Sequence, residues 1–303
     1  MGLKLHLTLV ILLSVLVIIL MQSFQTVSEP KIMAHSMEKE NLILVHSFPT
    51  NSILLRGLVE YLEDDFNVYF IDLPGFTRKV SAPQQFSMDS NVRYLEQRIS
   101  ELSLDSYIIG GISFGFLVVN RTDLDPERCK AILAIEPYIN KMYLNLGFAK
   151  SLLLTSLLDT AVENDDIAEK FWHNSYADDI LSFLSGYTED ISRTMLKEID
   201  GGTFFSTARY LIENEDPVVF KENIPYVLVI NKEDQTVDAL PIIKLFESSV
   251  RSDNLLIVYT NIEHYPKSIT KEYFSDRFSP ESVSAMINWV NSRVSVPVAN
   301  APL

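Results

Sequence analysis

From about Asn41 onward, short apolar runs alternate with segments in which apolar residues recur every three or four positions. The stretches "NLILVHSF", "NVYFIDLPGF", "SYIIGGIS", "KAILAIEP", "PYVLVINKED" and "NLLIVYTN" each hold a strand-length apolar run bounded by polar or turn residues. Between them, "TNSILLRGLVEYLEDD" places Ile53, Leu54, Leu58 and Leu62 at helical spacing, and "NVRYLEQRISEL" does so with Val92, Leu95, Ile99 and Leu102. "FGFLVVNR" is apolar enough to open a buried helix. "SPESVSAMINWVNSR" predicts a terminal helix with Ser279 as N-cap and Pro280 at the first helical position. Apolar strands alternating with amphipathic helices predict an α/β fold whose mostly parallel central sheet is covered by helices on both faces.

The alternation breaks once. Between the fourth and fifth strands, residues 138–222 carry only helix-like segments, among them "FAKSLLLTSLLDTAV", "DDILSFLSGY" and "FFSTARYLIEN". They are expected to form a helical lid over the C-terminal edge of the sheet. The core is then split into residues 40–137 and 223–294, with a tail at 295–303. Residues 1–22 stand apart: Leu7 to Met21, "LTLVILLSVLVIILM", is almost wholly apolar and follows Lys4 and the amino terminus. As a helix those fifteen residues span roughly 22 Å, short of a full hydrocarbon core without its flanks. The run is read as a signal anchor that leaves the remainder outside the cytoplasm, with residues 23–39 as a tether. Cleavage near "TVS", Thr26 to Ser28, and secretion is the alternative.

Charge narrows the partners. The formal net charge is −15 over 303 residues, which disfavours nucleic acid and anionic membrane surfaces as main partners. Membrane association is expected only through the N-terminal segment. Cys129 is the only cysteine, which rules out an intrachain disulfide and a Cys-rich metal site; beside "AILAIEP" it reads as a buried thiol.

Candidate chemistry centres on "IIGGISFGF". Gly111-Ile112-Ser113-Phe114-Gly115 fits G-x-S-x-G between a strand and a helix, the pattern of a nucleophile elbow. The turn is so sharp that bulk two residues before or after the serine would collide, and Gly111 and Gly115 remove it. A P-loop is excluded because Phe116-Leu117 stands where Lys-Ser/Thr is needed. A serine hydroxyl needs a base, and only five histidines exist. His6 and His35 precede the core and His173 falls in the expected lid. His46 ends the first strand, whereas His264 lies in the loop after the last, where it can reach Ser113. A carboxylate must orient that base. Asp234, after the fifth strand, is favoured; Glu233 and Asp238 are neighbouring rivals, and Glu136, ending the fourth strand, is the alternative acid. Asn120-Arg121-Thr122 matches a glycosylation sequon but falls in the helix after the elbow and is discounted.

From Asn41 to Arg293 the landmarks "LILVHSFPTNS", "VYFIDLPGF", "GGISFGF", "YVLVINKED" and "IEHYP" occur in order, and the chain resembles an α/β-hydrolase-fold protein of the lidded type. The resemblance implies Ser113 as nucleophile, Asp234 as acid and His264 as base. His46-Ser47-Phe48-Pro49 is similar to the His-Gly-x-Pro loop of epoxide hydrolase-like and dehalogenase-like relatives. It implies a cis Pro49 and an oxyanion hole made by the Phe48 and Phe114 N–H groups. Ser47 departs from that pattern, and so does the nucleophile: those relatives attack with Asp, so their chemistry is not transferred. The expectation is a serine esterase with no metal and no cofactor, acting on a small ester with an apolar portion. Thioesters, lactones and amides, acyl transfer to another acceptor or perhydrolysis, and a noncatalytic binding protein are the alternatives.

Overall fold

The computed structural model describes residues 39–83, 86–145, 170–172, 177 and 187–294. All six expected strands are present: β1 Glu40–Val45, β2 Phe66–Ile71, β3 Tyr107–Ile112, β4 Cys129–Ile135, β5 Tyr226–Ile230 and β6 Leu255–Tyr259. They form one parallel sheet in the order β2-β1-β3-β4-β5-β6. The described helices are α1 Arg56–Leu62, α2 Met88–Leu102, α3 Phe114–Arg121, α4 Glu189–Glu198, α5 Gly201–Glu213, α6 Ala239–Ser249, α7 Lys271–Ser275 and α8 Pro280–Val294.

The apolar runs are continuous because both faces of the sheet are covered, so the alternation of side chains along each strand feeds two cores. On one face Ile43, Val45, Tyr107 and Ile109 pack with Leu95 and Ile99 of α2, Leu117 of α3 and Ile242 of α6. Ile191 and Met195 of α4 and Phe204 and Phe205 of α5 extend this core. On the other face Leu42, Leu44, Ile108 and Leu133 pack with Leu58 of α1, Phe274 of α7, and Val283, Met286 and Val290 of α8.

Local signals held at α8, where Ser279 Oγ accepts from the Ser282 N–H at 3.2 Å and Pro280 opens the helix. They failed at α1, which begins only at Arg56. Ile53 and Leu54 sit in a preceding turn because Asn51 Oδ1 accepts from both of their N–H groups, at 3.1 Å each. Two helices, α6 and α7, were not anticipated. Cys129 is a buried free thiol whose pKa burial pushes up to about 12, so it is inert as expected. The Asn120 side chain is buried between Tyr226 Oη and the Val219 carbonyl, which removes the sequon from reach of a glycan.

Of the expected lid, α5 contains "FFSTARYLIE", whereas most of "FAKSLLLTSLLDTAV" and "DDILSFLSGY" lies outside the described residues. So do the N-terminal apolar run and His6, His35 and His173. Among the described residues no helix is long and apolar enough to cross a membrane.

One close approach joins α1 to the main chain just ahead of α7. A Cβ on Gly57 in α1 would lie 2.3 Å from the Thr270 carbonyl carbon and 2.4 Å from its oxygen, just ahead of α7. Backbone cannot yield as a side-chain tip can. Gly57→Ala is therefore expected to cost about 1–3 kcal/mol, read as a lowered denaturant midpoint. A midpoint equal to wild type contradicts the close approach.

Candidate active site

The C-terminal ends of the parallel strands share one rim, and five of the loops there carry the residues singled out from sequence. Ser113 joins β3 to α3 with φ 48 and ψ −112, a positive-φ conformation strained for a residue with a side chain. Its N–H donates to the Ile135 carbonyl at 2.9 Å, and its own carbonyl accepts from Phe116 N–H at 3.0 Å. The flanking glycines meet backbone. A Cβ on Gly111 would fall 2.4 Å from Phe116 N and Cα, and one on Gly115 would fall 2.5 Å from the His46 carbonyl oxygen.

Ser113 Oγ lies 2.8 Å from His264 Nε2. His264 Nδ1 lies 3.4 Å from Asp234 Oδ2, and both side chains are buried. This second contact is long and off-line for a hydrogen bond, and neither atom has another partner. The pair is nevertheless aligned, since Asp234 Oδ1 is committed to Thr236 N–H at 2.6 Å and Val237 N–H at 2.9 Å, leaving Oδ2 to face the ring. Burial pushes the Asp234 pKa up. The imidazole and the two backbone donors outweigh it, and the carboxyl titrates below its ordinary value. The tautomer with the ring proton on Nδ1, toward the Asp234 carboxylate, is the one in which Nε2 can accept from the serine.

The structure thus brings Ser113, His264 and Asp234 together. The rival acids Glu233 and Asp238 are exposed. Glu136 is not remote: it ends β4 with φ 44, is buried, and its Oε1 accepts from Asn231 N–H at 2.5 Å. One carboxyl oxygen of Glu136, one of Asp234 and a ring nitrogen of His264 all lie within 4.8 Å of one another. These three could offer ligand atoms to a metal, but Nε2 is occupied by Ser113 and Nδ1 faces Asp234, an arrangement suited to passing a proton.

His46 serves as a clip. Nδ1–H donates to the Ser47 carbonyl at 2.8 Å and Nε2 accepts from Leu73 N–H at 3.0 Å, joining the loops after β1 and β2. Burial lowers its pKa against the opposing pull of Asp72 and the Ser47 carbonyl. The Phe48–Pro49 peptide is cis, as the His-Ser-Phe-Pro sequence implies. Ser47 Oγ, the departure from glycine, is absorbed within the loop at 2.8 Å from Thr50 Oγ1. Phe114 opens α3, so its N–H has no partner within the helix. The Phe48 ring packs on Phe76 and on Phe204 of α5, with ring centroids 6.4 and 5.0 Å away.

Sequence reasoning passed over Asn231. Its N–H holds Glu136, its Nδ2–H donates to the Ile262 carbonyl at 3.1 Å, and its Oδ1 accepts from Glu233 N–H at 2.9 Å. It therefore knits the ends of β4, β5 and β6. A lone asparagine after a strand gives only a turn signal, so nothing in the sequence marked this role.

A profile of the alpha/beta hydrolase fold matches residues 40–244. The chain belongs to the α/β-hydrolase fold family. No curated protein sequence matches it. Among solved structures, an esterase from Thermogutta terrifontis is 16% identical with a TM-score of 0.55, covering 85% of this chain and 91% of that one. An epoxide hydrolase from Bacillus megaterium is 15% identical with a TM-score of 0.57, covering 83% and 93%. A putative lipase from Acinetobacter baumannii is 15% identical with a TM-score of 0.59, covering 86% and 87%. At such identities the likeness is one of fold.

In this α/β hydrolase the elbow should tolerate no bulk. Gly115→Ala is expected to lower stability by about 1–3 kcal/mol in chemical unfolding; an unchanged midpoint would show that the turn has room. The His46 clip also carries a pH dependence. The unfolded chain takes up a proton near histidine's usual value of about 6.5, while the folded ring resists it. Stability is therefore full above that value and falls as pH drops below it. His46→Gln should unfold with a shallower loss between pH 7.5 and 5.5, and an equal loss would remove His46 as its source.

Proposed function

We propose that this α/β hydrolase is a serine hydrolase that cleaves esters through an acyl-enzyme. The observation carrying the reading is the 2.8 Å separation of Ser113 Oγ from His264 Nε2, with Asp234 behind the ring. Ser113 Oγ attacks the acyl carbonyl carbon and passes its proton to His264 Nε2, while the carbonyl electron pair moves to oxygen. The oxyanion is received by the Phe48 and Phe114 N–H groups, main-chain donors held by the β1 loop and the start of α3. Collapse expels the alcohol, which takes the proton from His264. Water then gives a proton to His264 and attacks the acyl group, and release of the acid returns that proton to Ser113. Asp234 holds Nδ1–H and stabilises the imidazolium formed in both halves.

The small cavity that contains Ser113 is also lined by Leu55, Leu58, Ile112, Ile135, Ile262 and Phe274, which supports a substrate with an apolar portion. Attachment to a membrane outside the cytoplasm is a separate proposal that rests on Leu7 to Met21 alone.

A fluorophosphonate probe tests the reading directly. The wild-type chain is expected to label at Ser113 and to hydrolyse short and medium p-nitrophenyl esters. Ser113→Ala should abolish labelling, and Asp234→Asn should lower kcat/KM by about 10⁴-fold. A folded wild-type chain that neither labels nor hydrolyses the esters would favour a binding protein. A near-normal rate for Asp234→Asn would move the acid to Glu136.

A further inference from the structure

The mechanism leaves one buried ionisable group at its centre without a task. Glu136 is 1% exposed, and its Oε1 is satisfied by Asn231 N–H while Oε2 has no donor. Asp234 Oδ2 likewise lacks a well-aligned donor, and the two carboxyl groups are close neighbours. Two ionised carboxylates cannot donate to one another, so as a pair of anions they would leave Glu136 Oε2 without a donor in a buried site and Asp234 Oδ2 with only the long contact to His264 Nδ1. A proton on Glu136 turned toward Asp234 would give both carboxyl groups a partner. The main chain is also committed here: Glu136 has φ 44, a conformation glycine would adopt more easily, and is fixed by its N–H donating to the Val229 carbonyl at 2.8 Å. Ser113 and Glu136 therefore follow neighbouring strands at the same rim, each with a positive φ that a residue with a side chain adopts at a cost.

We propose that Glu136 is a positioning residue that keeps its proton and donates it in a hydrogen bond to Asp234 Oδ2, fixing that carboxylate against His264. The role rests on Ser113, His264 and Asp234 working as described above. Burial, and next the charge of Asp234, hold the Glu136 pKa well above the ordinary carboxyl range, against the pull of the Asn231 N–H. The groups facing it come from two other loops. Asp234 follows β5, with Tyr265 beside it, while His264 and Glu263 follow β6 and line with Glu136 a small cavity that reaches Ser113. Lys267 is engaged by Glu263 and Arg277 lies over the Tyr273 ring, so neither cation is paired to Glu136. Ionisation of Glu136 at alkaline pH would remove the donor and set a second negative charge beside Asp234, releasing its grip on Nδ1–H.

The test compares wild type with Glu136→Gln, which keeps a donor that cannot ionise, using fluorophosphonate labelling rates from pH 6 to 10. Wild type should lose about tenfold or more in rate on the alkaline side, the scale of one lost hydrogen bond to a charged group. Glu136→Gln should retain the neutral-pH rate and lack that alkaline loss. An alkaline loss identical in both proteins, or absent from wild type, overturns the proposal. If wild type does not label at all, the hydrolase reading fails, and Glu136 is judged by stability instead. A carboxyl with a raised folded pKa contributes stability that is present at low pH and lost as pH climbs toward that pKa. The advantage in unfolding midpoint of Glu136→Gln over wild type should therefore grow between pH 5 and 9. A constant difference across that range overturns the proposal independently of activity.

Discussion

A residue bearing a side chain is held at φ 48 where β3 meets α3, and much of the rim is arranged around the clearance this demands. The conformation costs about 1–3 kcal/mol and is kept because its surroundings leave no other choice. The Ser113 N–H is engaged by Ile135 of the adjacent strand, the next turn closes on its carbonyl, and the glycines on either side let two stretches of main chain approach where a methyl group could not fit. The consequence is chemical. The hydroxyl stands at the sheet edge within 2.8 Å of an imidazole that arrives from residue 264.

That imidazole and its carboxylate are placed by cross-ties between loops rather than by helices or strands. Asn231 links the ends of β4, β5 and β6, and Thr236 and Val237 N–H groups orient Asp234. The same acid-bearing loop is stitched to the start of the insertion. Asn145 N–H donates to the Thr236 carbonyl and Asp238 N–H to the Tyr143 carbonyl, each at 2.8 Å, so the root of the insertion and the support of Asp234 share a backbone ladder. On the opposite side, His46, Asn51 and Ser52 join the loop after β1 to the loop after β2 through Leu73, Phe76 and Asp72. The rim is thus a set of short loops braced against one another, which suits geometry that must be kept to fractions of an ångström.

The legible parts of the sequence were those whose signal is local. Six apolar runs became six strands because burial on both faces requires uninterrupted apolar residues. Ser279 and Pro280 marked α8, and the G-x-S-x-G spacing marked the elbow, because both are short-range steric and hydrogen-bonding demands. Where a side chain competed with the helix, local periodicity misled: the Asn51 carboxamide takes the N–H groups of Ile53 and Leu54 and delays α1. Helices α6 and α7 went unread for different reasons. Helix α7 is five residues long and too short to show a period, whereas α6 carries Ala239, Ile242, Ile243 and Phe246 at helical spacing, a signal the sequence offered and the reading passed over.

The sequence by itself determined the α/β class, the strand succession, the serine in its turn and the short roster of bases and acids available to it. These follow from periodicity, glycine spacing and the scarcity of histidine. Only the tertiary structure separated the surroundings of the two carboxylates, since Asp234 and Glu136 both follow strands at the correct edge and differ in what surrounds them. Asp234 has two backbone donors and an imidazole, while Glu136 has one donor and a neighbouring anion. Charge state depends on burial and on partners brought from distant segments, and no linear pattern encodes that combination.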